Sequence, residues 1–458
     1  MDILKLSLII LVIVGFIVAM MKKKVPTIIA LPLIGLFVAV IAAFGSEPLA
    51  GLLPYEIMVE GEAAMAPGIF GFVLIDGSKM MAGAIVTVIF ASAFSRIMMK
   101  QKIIERIIKT AAEYAGDKPF VIAIVFYVIV SVMFMAIGGL GGVILVGSII
   151  LPIMLSAGIK PLVSAVIFLF GFSSGLIMNP MNYSIYIPLL APQFGGDLAQ
   201  AQAAIIKSGW PIFVITFLVP FIYIFKNVDR KVSVSHWAQQ SNIDHGSEAS
   251  KISMLAPIIP VVIILVAQFT KLAIPTEVAI IIGILFVLLT TKSNNKMQLV
   301  SQGLLEGTQD VAGVILLMMG LGILIKGVQY PAVQTIVGPS IEMVAGYLKN
   351  PVTYVIGFTI GSVLALYRGP MNSYGIGGAL PSLFGAAGFS PVAIIWALRA
   401  DGNMQAFGDP TNSHNIWIAD FVNVDVNDIL KEVFIYGILQ AFLILTYAVL
   451  IAKIPLIV

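Results

Sequence analysis

Long apolar stretches separated by short polar segments run through most of the 458 residues. A helix of about 20 mainly apolar residues spans the hydrocarbon core of a bilayer, and most of these stretches approach that length. The pattern therefore predicts an all-α polytopic membrane protein. The apolar stretches lie near residues 5–21, 26–44, 81–99, 119–137, 140–157, 161–178, 210–225, 252–270, 275–291, 311–328, 352–367, 391–398 continuing past 410, and 433–453.

Two similar motifs interrupt the apolar sequence, MNPMNYS at residues 178–184 and GDPTNSH at residues 408–414. They lie about half a chain apart, and in each half the motif's proline follows an earlier proline at the same distance. In lipid a helix can be interrupted only where its freed backbone groups line a protected cavity. Matching breaks in two halves predict a transporter built from two repeats, with its binding site at the broken helices. The prolines are Pro161 and Pro180 in the first half and Pro391 and Pro410 in the second.

Two segments, 119–157 and 351–390, are predicted to form hairpins that return to the side of the membrane they left. With the N-terminus outside, most of the 26 Lys and Arg residues then fall in cytoplasmic loops, as the positive-inside rule requires. The prediction is ten crossings and two hairpins, with five transmembrane crossings plus one re-entrant helical hairpin in each half, and an odd number makes the two repeats inverted. The predicted domains are a first inverted repeat over 1–225 with a broken helix at 161–192, a cytoplasmic linker over 226–251, and a second inverted repeat over 252–458 with a broken helix at 391–419.

Composition excludes several classes of protein. Hydrophobic residues make up 59% of the chain and charged residues only 11%, which a soluble domain of this length would not show. The chain has no cysteine, so it has no disulfide framework and no thiolate metal site. No glycine-rich segment has the spacing of a phosphate loop, so transport would be secondary. We expect a protein that is not an enzyme and that binds no nucleic acid.

The whole-chain pattern resembles a known superfamily of secondary carriers. Two inverted repeats, each with a hairpin followed by a helix broken at an Asn/Pro/Ser/Thr motif, are similar to the ion transporter superfamily. The stretch GSIILPIM at residues 147–154 looks like the descending arm of its hairpin. Within it the chain resembles the citrate and gluconate permeases and the divalent-anion symporters, although the Ser-Asn-Thr triplets of the latter do not occur here. The resemblance implies an elevator mechanism and a homodimer in a bacterial or archaeal cytoplasmic (inner) membrane.

The polar residues at the predicted tips and breaks can recognise an anion. Glycines at the first hairpin tip allow tight turns, and helix N-termini offer partial positive charge to a carboxylate. Asparagine offers both a carbonyl oxygen and an N–H donor, enough to ligate a cation, to hold a carboxylate, or to satisfy backbone groups freed by the prolines. The candidate substrate-binding residues are Gly139, Gly141, Asn179, Asn182, Ser184, Arg368, Asn372, Arg399, Asn412 and Ser413.

Two arginines are predicted at membrane depth, where a charged side chain is costly and marks a functional site. The planar fork of arginine matches a carboxylate, so each is a candidate anion ligand. Arg368 is predicted to stand alone at the second hairpin tip, whereas Arg399 has a candidate partner in Asp401. Arg399 is therefore either an anion ligand or one half of a structural ion pair.

Two carboxylates, Asp401 and Asp409, are predicted inside the second broken helix, where the first half has Gly171 and Asn179. A carboxylate there can carry a proton, or stay charged and bind sodium with nearby amide and hydroxyl oxygens. We expect Asp409 to carry coupling, because Asp401 has an arginine nearby to neutralise it. The candidate ion-coupling residues are Asp401, Asp409, Asn403, Thr411 and His414, of which His414 is equally a hydrogen-bond anchor, and the possible Na+ ligands are Asn179, Asn182, Asp409 and Asn412.

These features predict a secondary active transporter that moves a small organic anion, in the simplest case a carboxylate, together with H+ or Na+. The alternative is a Na+/H+ antiporter of the same superfamily, in which the aspartates exchange cations and the arginines are structural. A scaffold or receptor that transports nothing is disfavoured, because buried polar residues are expensive to keep in a membrane. The expected partners are the anion, the coupling ion and the lipid bilayer, with no cofactor other than Na+.

Overall fold

The computed structural model describes residues 2–22, 24–44, 51–59, 62–66, 68–116, 118–229, 249–270, 272, 274–293 and 295–458, so most of the predicted linker (230–248) lies outside the described residues. The longer elements are helices. They are α1 (Asp2–Met21), α2 (Thr27–Ala43), α3 (Ala82–Lys100), α4 (Ile103–Ala115), α5 (Pro119–Phe134), α6 (Gly139–Ser156), α7 (Pro161–Met178), α8 (Pro180–Tyr183), α9 (Tyr186–Leu190), α10 (Leu198–Asn227), α11 (Ile259–Thr270), α12 (Thr276–Thr290), α13 (Lys296–Gln329), α14 (Pro331–Leu348), α15 (Pro351–Gly361), α16 (Leu380–Ala386), α17 (Pro391–Gly408), α18 (Ser413–Phe421) and α19 (Val426–Leu450).

Short elements complete the described chain. Two strands, β1 (Tyr55–Val59) and β2 (Glu62–Ala66), form an antiparallel hairpin that the sequence pattern did not predict. The remaining short elements are helical turns. They lie at Phe70–Ile75, Asp76–Met80, Ala191–Phe194, Ile252–Ile258, Ser362–Arg368 and Ile376–Ala379.

The described part of the chain contains 8 helices that are long and apolar enough to cross a membrane, together with shorter apolar helices. This confirms the prediction of a helical polytopic membrane protein. Both motifs also break a helix as predicted, since α7 ends at Met178 and α17 ends at Gly408. The number of crossings, the inversion of the repeats and the depth of the hairpins stay predictions.

The longest helix, α13, begins at Lys296, well before the apolar stretch predicted at 311–328. The apolar pattern does not predict the helical turns before residue 311. Asp310 lies inside the helix and forms an ion pair with Arg96 of α3. Such a pair keeps a charged residue in a packed helix, because it supplies the partner that an isolated charge lacks.

A second helix also begins earlier than the apolar pattern indicates. α10 starts at Leu198, whereas the apolar stretch begins near residue 210. Asp197 caps it, accepting hydrogen bonds from the backbone N–H groups of Ala199 (2.8 Å) and Gln200 (3.0 Å). An N-cap of this kind satisfies backbone donors that the first turn leaves free, so polar residues can begin the helix.

Helices α1, α2, α3, α11, α12 and α13 pack together and are called here the long-helix bundle. Glycines allow α13 to cross α2 closely. A Cβ added at Gly35 would lie 2.6 Å from the carbonyl oxygen of Ile323, and one at Gly327 would lie 2.2 Å from the carbonyl oxygen of Gly35. Because neither glycine can gain a side chain without moving backbone, this crossing is tightly fixed.

Helices α5 to α10 and α15 to α19 form the second group, called here the broken-helix bundle, which contains both hairpins and both breaks. Within it α7 lies directly on α5, since a Cβ added at Gly175 would lie 2.4 Å from the carbonyl oxygen of Ser131. The rings of Phe170 and Phe407 meet edge to face at 5.1 Å and join the two broken helices. Each bundle therefore contains helices from both halves of the sequence.

Candidate functional site

The first break is fastened to the first hairpin by Asn179, which is fully buried. Its side-chain oxygen accepts a hydrogen bond from the N–H of Met181 (2.8 Å) and so caps α8. Its amide donates to the carbonyl oxygens of Phe134 and Ile137, each at 2.8 Å, where α5 ends and the hairpin tip begins. Asn179 therefore positions the tip, using both its donor N–H groups and its acceptor in this conformation.

The second break has the same relation to the second hairpin, with a carboxylate in place of the amide. Asp409 accepts hydrogen bonds from the backbone N–H groups of Tyr367 (3.0 Å) and Arg368 (3.4 Å) at the hairpin tip. The same carboxylate accepts from the N–H (2.9 Å) and the hydroxyl (2.8 Å) of Thr411. Tyr367 and Arg368 have positive φ angles of 53° and 57°, so their two N–H groups converge on one anion.

Asparagines satisfy the carbonyl groups that the two breaks set free. Asn182 donates to the carbonyl oxygen of Leu176 (3.0 Å), and Asn412 donates to that of Gln405 (2.8 Å). Asn182 also accepts a hydrogen bond from the hydroxyl of Tyr374 (2.7 Å), which ties the first break to the chain following the second hairpin tip. In the structure these amides hydrogen-bond to freed backbone carbonyl groups, which is one of the roles that the sequence left open for them.

Other predicted residues around the breaks make local contacts. Ser184 is buried and donates to the carbonyl oxygen of Met181 (3.4 Å), while Ser413 is exposed at the start of α18. The Nε2 atom of His414 lies 2.8 Å from the carbonyl oxygen of Ala406. His414 is therefore placed as a hydrogen-bond anchor for the end of α17.

The glycines of the first tip lie between the two bundles. Gly139 has a φ of +74°, which a residue with a side chain adopts only with strain. A Cβ at Gly141 would lie 3.6 Å from a guanidinium nitrogen of Arg96, which belongs to the long-helix bundle. The tip thus reaches the opposite bundle through glycine backbone.

The second tip reaches the long-helix bundle through Arg368, whose guanidinium donates to the hydroxyl of Thr27 (2.8 Å) at the start of α2. Asn372 shapes the turn behind it, donating to the carbonyl oxygen of Ala365 (3.1 Å) and accepting from the N–H of Tyr374 (3.0 Å). Arg368 was expected to stand alone at the tip. In the structure it is a contact between bundles.

Arg399 is 3% exposed and lies on α17, inside the broken-helix bundle. Its guanidinium donates to the carbonyl oxygens of Ile177 and Ile205 and lies 3.4 Å from the hydroxyl of Ser208. The predicted pairing with Asp401 is not formed, since neither carboxylate oxygen of Asp401 has a hydrogen-bond partner among the described residues. Arg399 is thus a buried cation held by neutral groups.

A cavity lies beside the Arg399 guanidinium at the boundary between the two bundles. Val261 and Ile264 of α11, in the long-helix bundle, form one side of it. The other side comes from the broken-helix bundle and is apolar apart from Arg399 and the Tyr183 hydroxyl. The lining residues are Ile177, Met178, Tyr183, Ile206, Gly209, Val261, Ile264 and Arg399.

Gly209 makes room for the charged group, because a Cβ there would lie 3.0 Å from a guanidinium nitrogen of Arg399.

Asn403, the remaining predicted coupling residue, donates to the side chain of Gln440 on α19. Sequence reasoning missed Gly209, Tyr374 and Gln440. Only Tyr374 carried a local signal, through its position two residues after Asn372 in a glycine-rich turn.

Comparison with solved structures shows what fold the chain shares. It resembles the YdaH transporter of Alcanivorax borkumensis, with a TM-score of 0.59 and 12% identity over 92% of this chain and 98% of that one. It also resembles MtrF of Neisseria gonorrhoeae, described as representing a class of antimetabolite efflux pumps, with a TM-score of 0.58 and 14% identity over 92% of this chain and 95% of that one. No protein-family pattern and no curated protein matches the sequence.

At these identities the likeness establishes a shared fold, and both of these proteins are described as moving substrates across membranes. The likeness therefore supports the expected membrane fold. Neither the resemblance to the ion transporter superfamily nor the narrower one to citrate and gluconate permeases or divalent-anion symporters receives support from these two structures.

Proposed function

We propose that this protein is a secondary active transporter of a small organic anion, in which Arg399 binds the anion's carboxylate. The observation that carries the proposal is a fully buried arginine with no carboxylate partner in the described residues, facing a cavity between two helix bundles. A buried charge is retained where a ligand or a mechanism uses it.

The contacts of Arg399 leave hydrogen-bonding capacity for a ligand. A guanidinium has five N–H donors, and its described acceptors are the carbonyl groups of Ile177 and Ile205 and the hydroxyl of Ser208. These neutral acceptors fix the plane of the fork but do not neutralise its charge. A carboxylate entering the cavity would supply the missing negative charge and accept the remaining N–H groups.

The lining of the cavity indicates the body of the anion. Apart from the Tyr183 hydroxyl it offers isoleucine, valine and methionine side chains around the guanidinium. Few polar groups therefore stand ready for a second or third carboxylate. In this conformation the cavity is about the size of a water molecule. The proposed anion is a monocarboxylate with an apolar body, which would enter as the two bundles move apart.

The position of the cavity fits alternating access. Its walls come from both bundles, so a displacement of the broken-helix bundle against α11 would open it to one side of the membrane or to the other. Both hairpin tips touch the long-helix bundle, at Arg96 and at Thr27. The proposed movement is the elevator type, and the coupling ion is H+ or Na+. The described relatives that share the fold are transporters, which supports this proposal without identifying a substrate.

The alternative, a Na+/H+ antiporter, needs no anion site. A thermal-stability screen of the purified protein with acetate, hexanoate, benzoate, succinate and citrate separates the two functions. A ligand that binds the folded state alone stabilises it by about 2.7 kcal/mol at one hundred times its dissociation constant.

We expect hexanoate or benzoate to raise the melting temperature in a saturable manner, and Arg399→Lys to lose that increase, because a point charge cannot replace the fork. Arg368→Lys is the matched control, since it makes the same change at an arginine that contacts Thr27 and does not line the cavity. Stabilisation by sodium, with no response to any carboxylate, would instead support the antiporter.

A further inference from the structure

A second buried charged group, Asp401, lies on the same helix as Arg399 and is fully enclosed. Neither of its carboxylate oxygens has a hydrogen-bond partner in the described part of the chain, and the hydroxyl of Ser373 is likewise buried without one. The hydroxyl groups of Tyr186 and Ser373 both lie against the neighbouring Gly402, at 3.0 and 3.9 Å from the position of an added Cβ. Two hydroxyls therefore lie beside the residue that follows Asp401 on the helix, while the Asp401 carboxyl group itself is buried without a hydrogen bond.

No described hydrogen bond or ion pair brings a positive charge to Asp401. Arg368, in a turn packed against α17, donates to Thr27 instead. Tyr186 and Tyr354 lie near Asp401, and the Tyr354 hydroxyl donates to the carbonyl oxygen of Ala393 (2.7 Å). α7 contains no charged residue, and on α19 Gln440 is bonded to Asn403. Arg399, on the same helix, directs its N–H groups to α7 and α10 instead.

An ionised carboxylate in this position would have lost its hydration with nothing in return, which costs several kcal/mol. Sodium would need several oxygen ligands, whereas Asp401 lies within the unbroken part of α17, where the backbone carbonyl groups are bonded within the helix. A single proton on the carboxyl group neutralises it without further ligands.

We propose that Asp401, a buried carboxyl group without a hydrogen-bond partner in the described part of the chain, is a proton-carrying site. An O–H bond forms at the carboxylate when a proton arrives from water on one side and breaks when that proton is released to water on the other. No other bond changes and no electron is transferred. The proposal rests on the proposed anion transport. It makes the proton the coupling ion and places the proton-carrying residue, Asp401, two residues from the anion ligand, Arg399.

The proton itself is measured by infrared spectroscopy of the purified full-length protein, with no carboxylate added. We expect the C=O stretching band of a protonated carboxyl group in an apolar environment at neutral pH. Asp401→Asn removes that band. The matched control is Asp197→Asn, since Asp197 is an exposed helix cap and asparagine caps equally well. Identical spectra of the wild type and Asp401→Asn, across the pH range in which both stay folded, would overturn the proposal.

Sodium is tested in the same sample by exchanging choline chloride for sodium chloride at neutral pH. The band should persist, and its loss on adding sodium would overturn the assignment to a proton. If Asp401→Asn does not fold, Asp401→Glu retains a carboxyl group on a longer side chain, and the band must then shift in frequency. An unshifted band in Asp401→Glu would place the protonated carboxyl elsewhere.

Coupling is measured with benzoate as the probe. If one proton accompanies the anion, the benzoate concentration for half-maximal thermal stabilisation should rise by up to about tenfold per pH unit in the wild type. In Asp401→Asn it should change less than about twofold over the same range. A pH dependence that persists in Asp401→Asn would overturn the coupling role. Absence of benzoate binding with the infrared band intact would instead count against the proposed function alone.

Discussion

Arg399 and Asp401 lie two residues apart on one buried helix and do not pair. Side chains two residues apart on a helix do not face each other, so the arginine reaches the cavity beside α10 while the aspartate is buried without a hydrogen bond in the described part of the chain. One helix thereby carries a candidate anion ligand and a candidate proton carrier. Movement of α17 would carry both together.

Gly209→Ala tests the geometry around the arginine without changing any charge. The new methyl group would lie 3.0 Å from a guanidinium nitrogen of Arg399 and 3.4 Å from the sulfur of Met178, so the fork must move. We expect the benzoate concentration for half-maximal stabilisation to rise by at least about tenfold, which corresponds to a loss of about 1.4 kcal/mol of binding free energy. Titration of the melting temperature with benzoate measures the change.

The matched control for that substitution is Gly313→Ala on α13. Nothing lies within 4 Å of a Cβ at this position, so the added methyl group displaces no neighbour. The control should bind benzoate like the wild type. Equal binding by both variants would mean that the position of the Arg399 fork does not determine anion affinity.

The hydrogen bonds of Asp409 to the backbone of the second hairpin tip are expected to stabilise that tip. Asp409→Ala removes the acceptor of the Tyr367 and Arg368 N–H groups and should destabilise the protein by roughly 1.5–3 kcal/mol, the range for hydrogen bonds to a charged group. Hydrogen exchange of the tip amides should accelerate, as measured by mass spectrometry of peptides covering 362–372. Asp425→Ala, which removes an exposed cap of α19, is the control and should leave tip exchange unchanged.

The sequence argument gave Asp409 the coupling role, and the same variants test it. If Asp409→Asn kept slow exchange at the tip but abolished the pH dependence of benzoate binding, coupling would belong to Asp409. The observed contacts favour anchoring, because its carboxylate already accepts hydrogen bonds from Tyr367, Arg368 and Thr411.

Arg368→Lys should separate binding from movement. The guanidinium of Arg368 contacts the Thr27 hydroxyl at the boundary between the bundles. We expect benzoate affinity to change by less than about twofold, while the transport rate in liposomes changes. Thr27→Val, which removes the partner hydroxyl, should change the rate in the same direction. A large loss of affinity in Arg368→Lys would return this arginine to the anion site.

The breaks and the helical membrane class could be predicted because they follow from local rules. Proline removes a backbone donor, and the carbonyl groups it frees require polar partners, which the asparagines of both motifs supply. Apolar length predicts a helix that crosses lipid. Polar helix extensions such as the first turns of α13 escaped this reasoning, because they depend on caps and ion pairs with distant residues.

The pairing of charges could not be predicted from sequence distance. Asp401 is near Arg399 along the chain, yet the acceptors of Arg399 come from Ile177 and Ile205, far away in sequence. Arg368, in contrast, was expected to have no partner, yet it donates a hydrogen bond to Thr27, which lies at the other end of the chain. These contacts arise from helix packing, within the broken-helix bundle for Arg399 and between the bundles for Arg368, which a single sequence does not encode locally.

Uptake of radiolabelled benzoate into proteoliposomes under an imposed pH gradient tests the central claim most directly, with protein-free liposomes measuring passive permeation. The account predicts that wild-type protein accumulates benzoate above that background only when a pH gradient is present, and that Arg399→Lys and Asp401→Asn both lose the accumulation. Accumulation by Arg399→Lys equal to that of the wild type would contradict the assignment of Arg399 as the anion ligand.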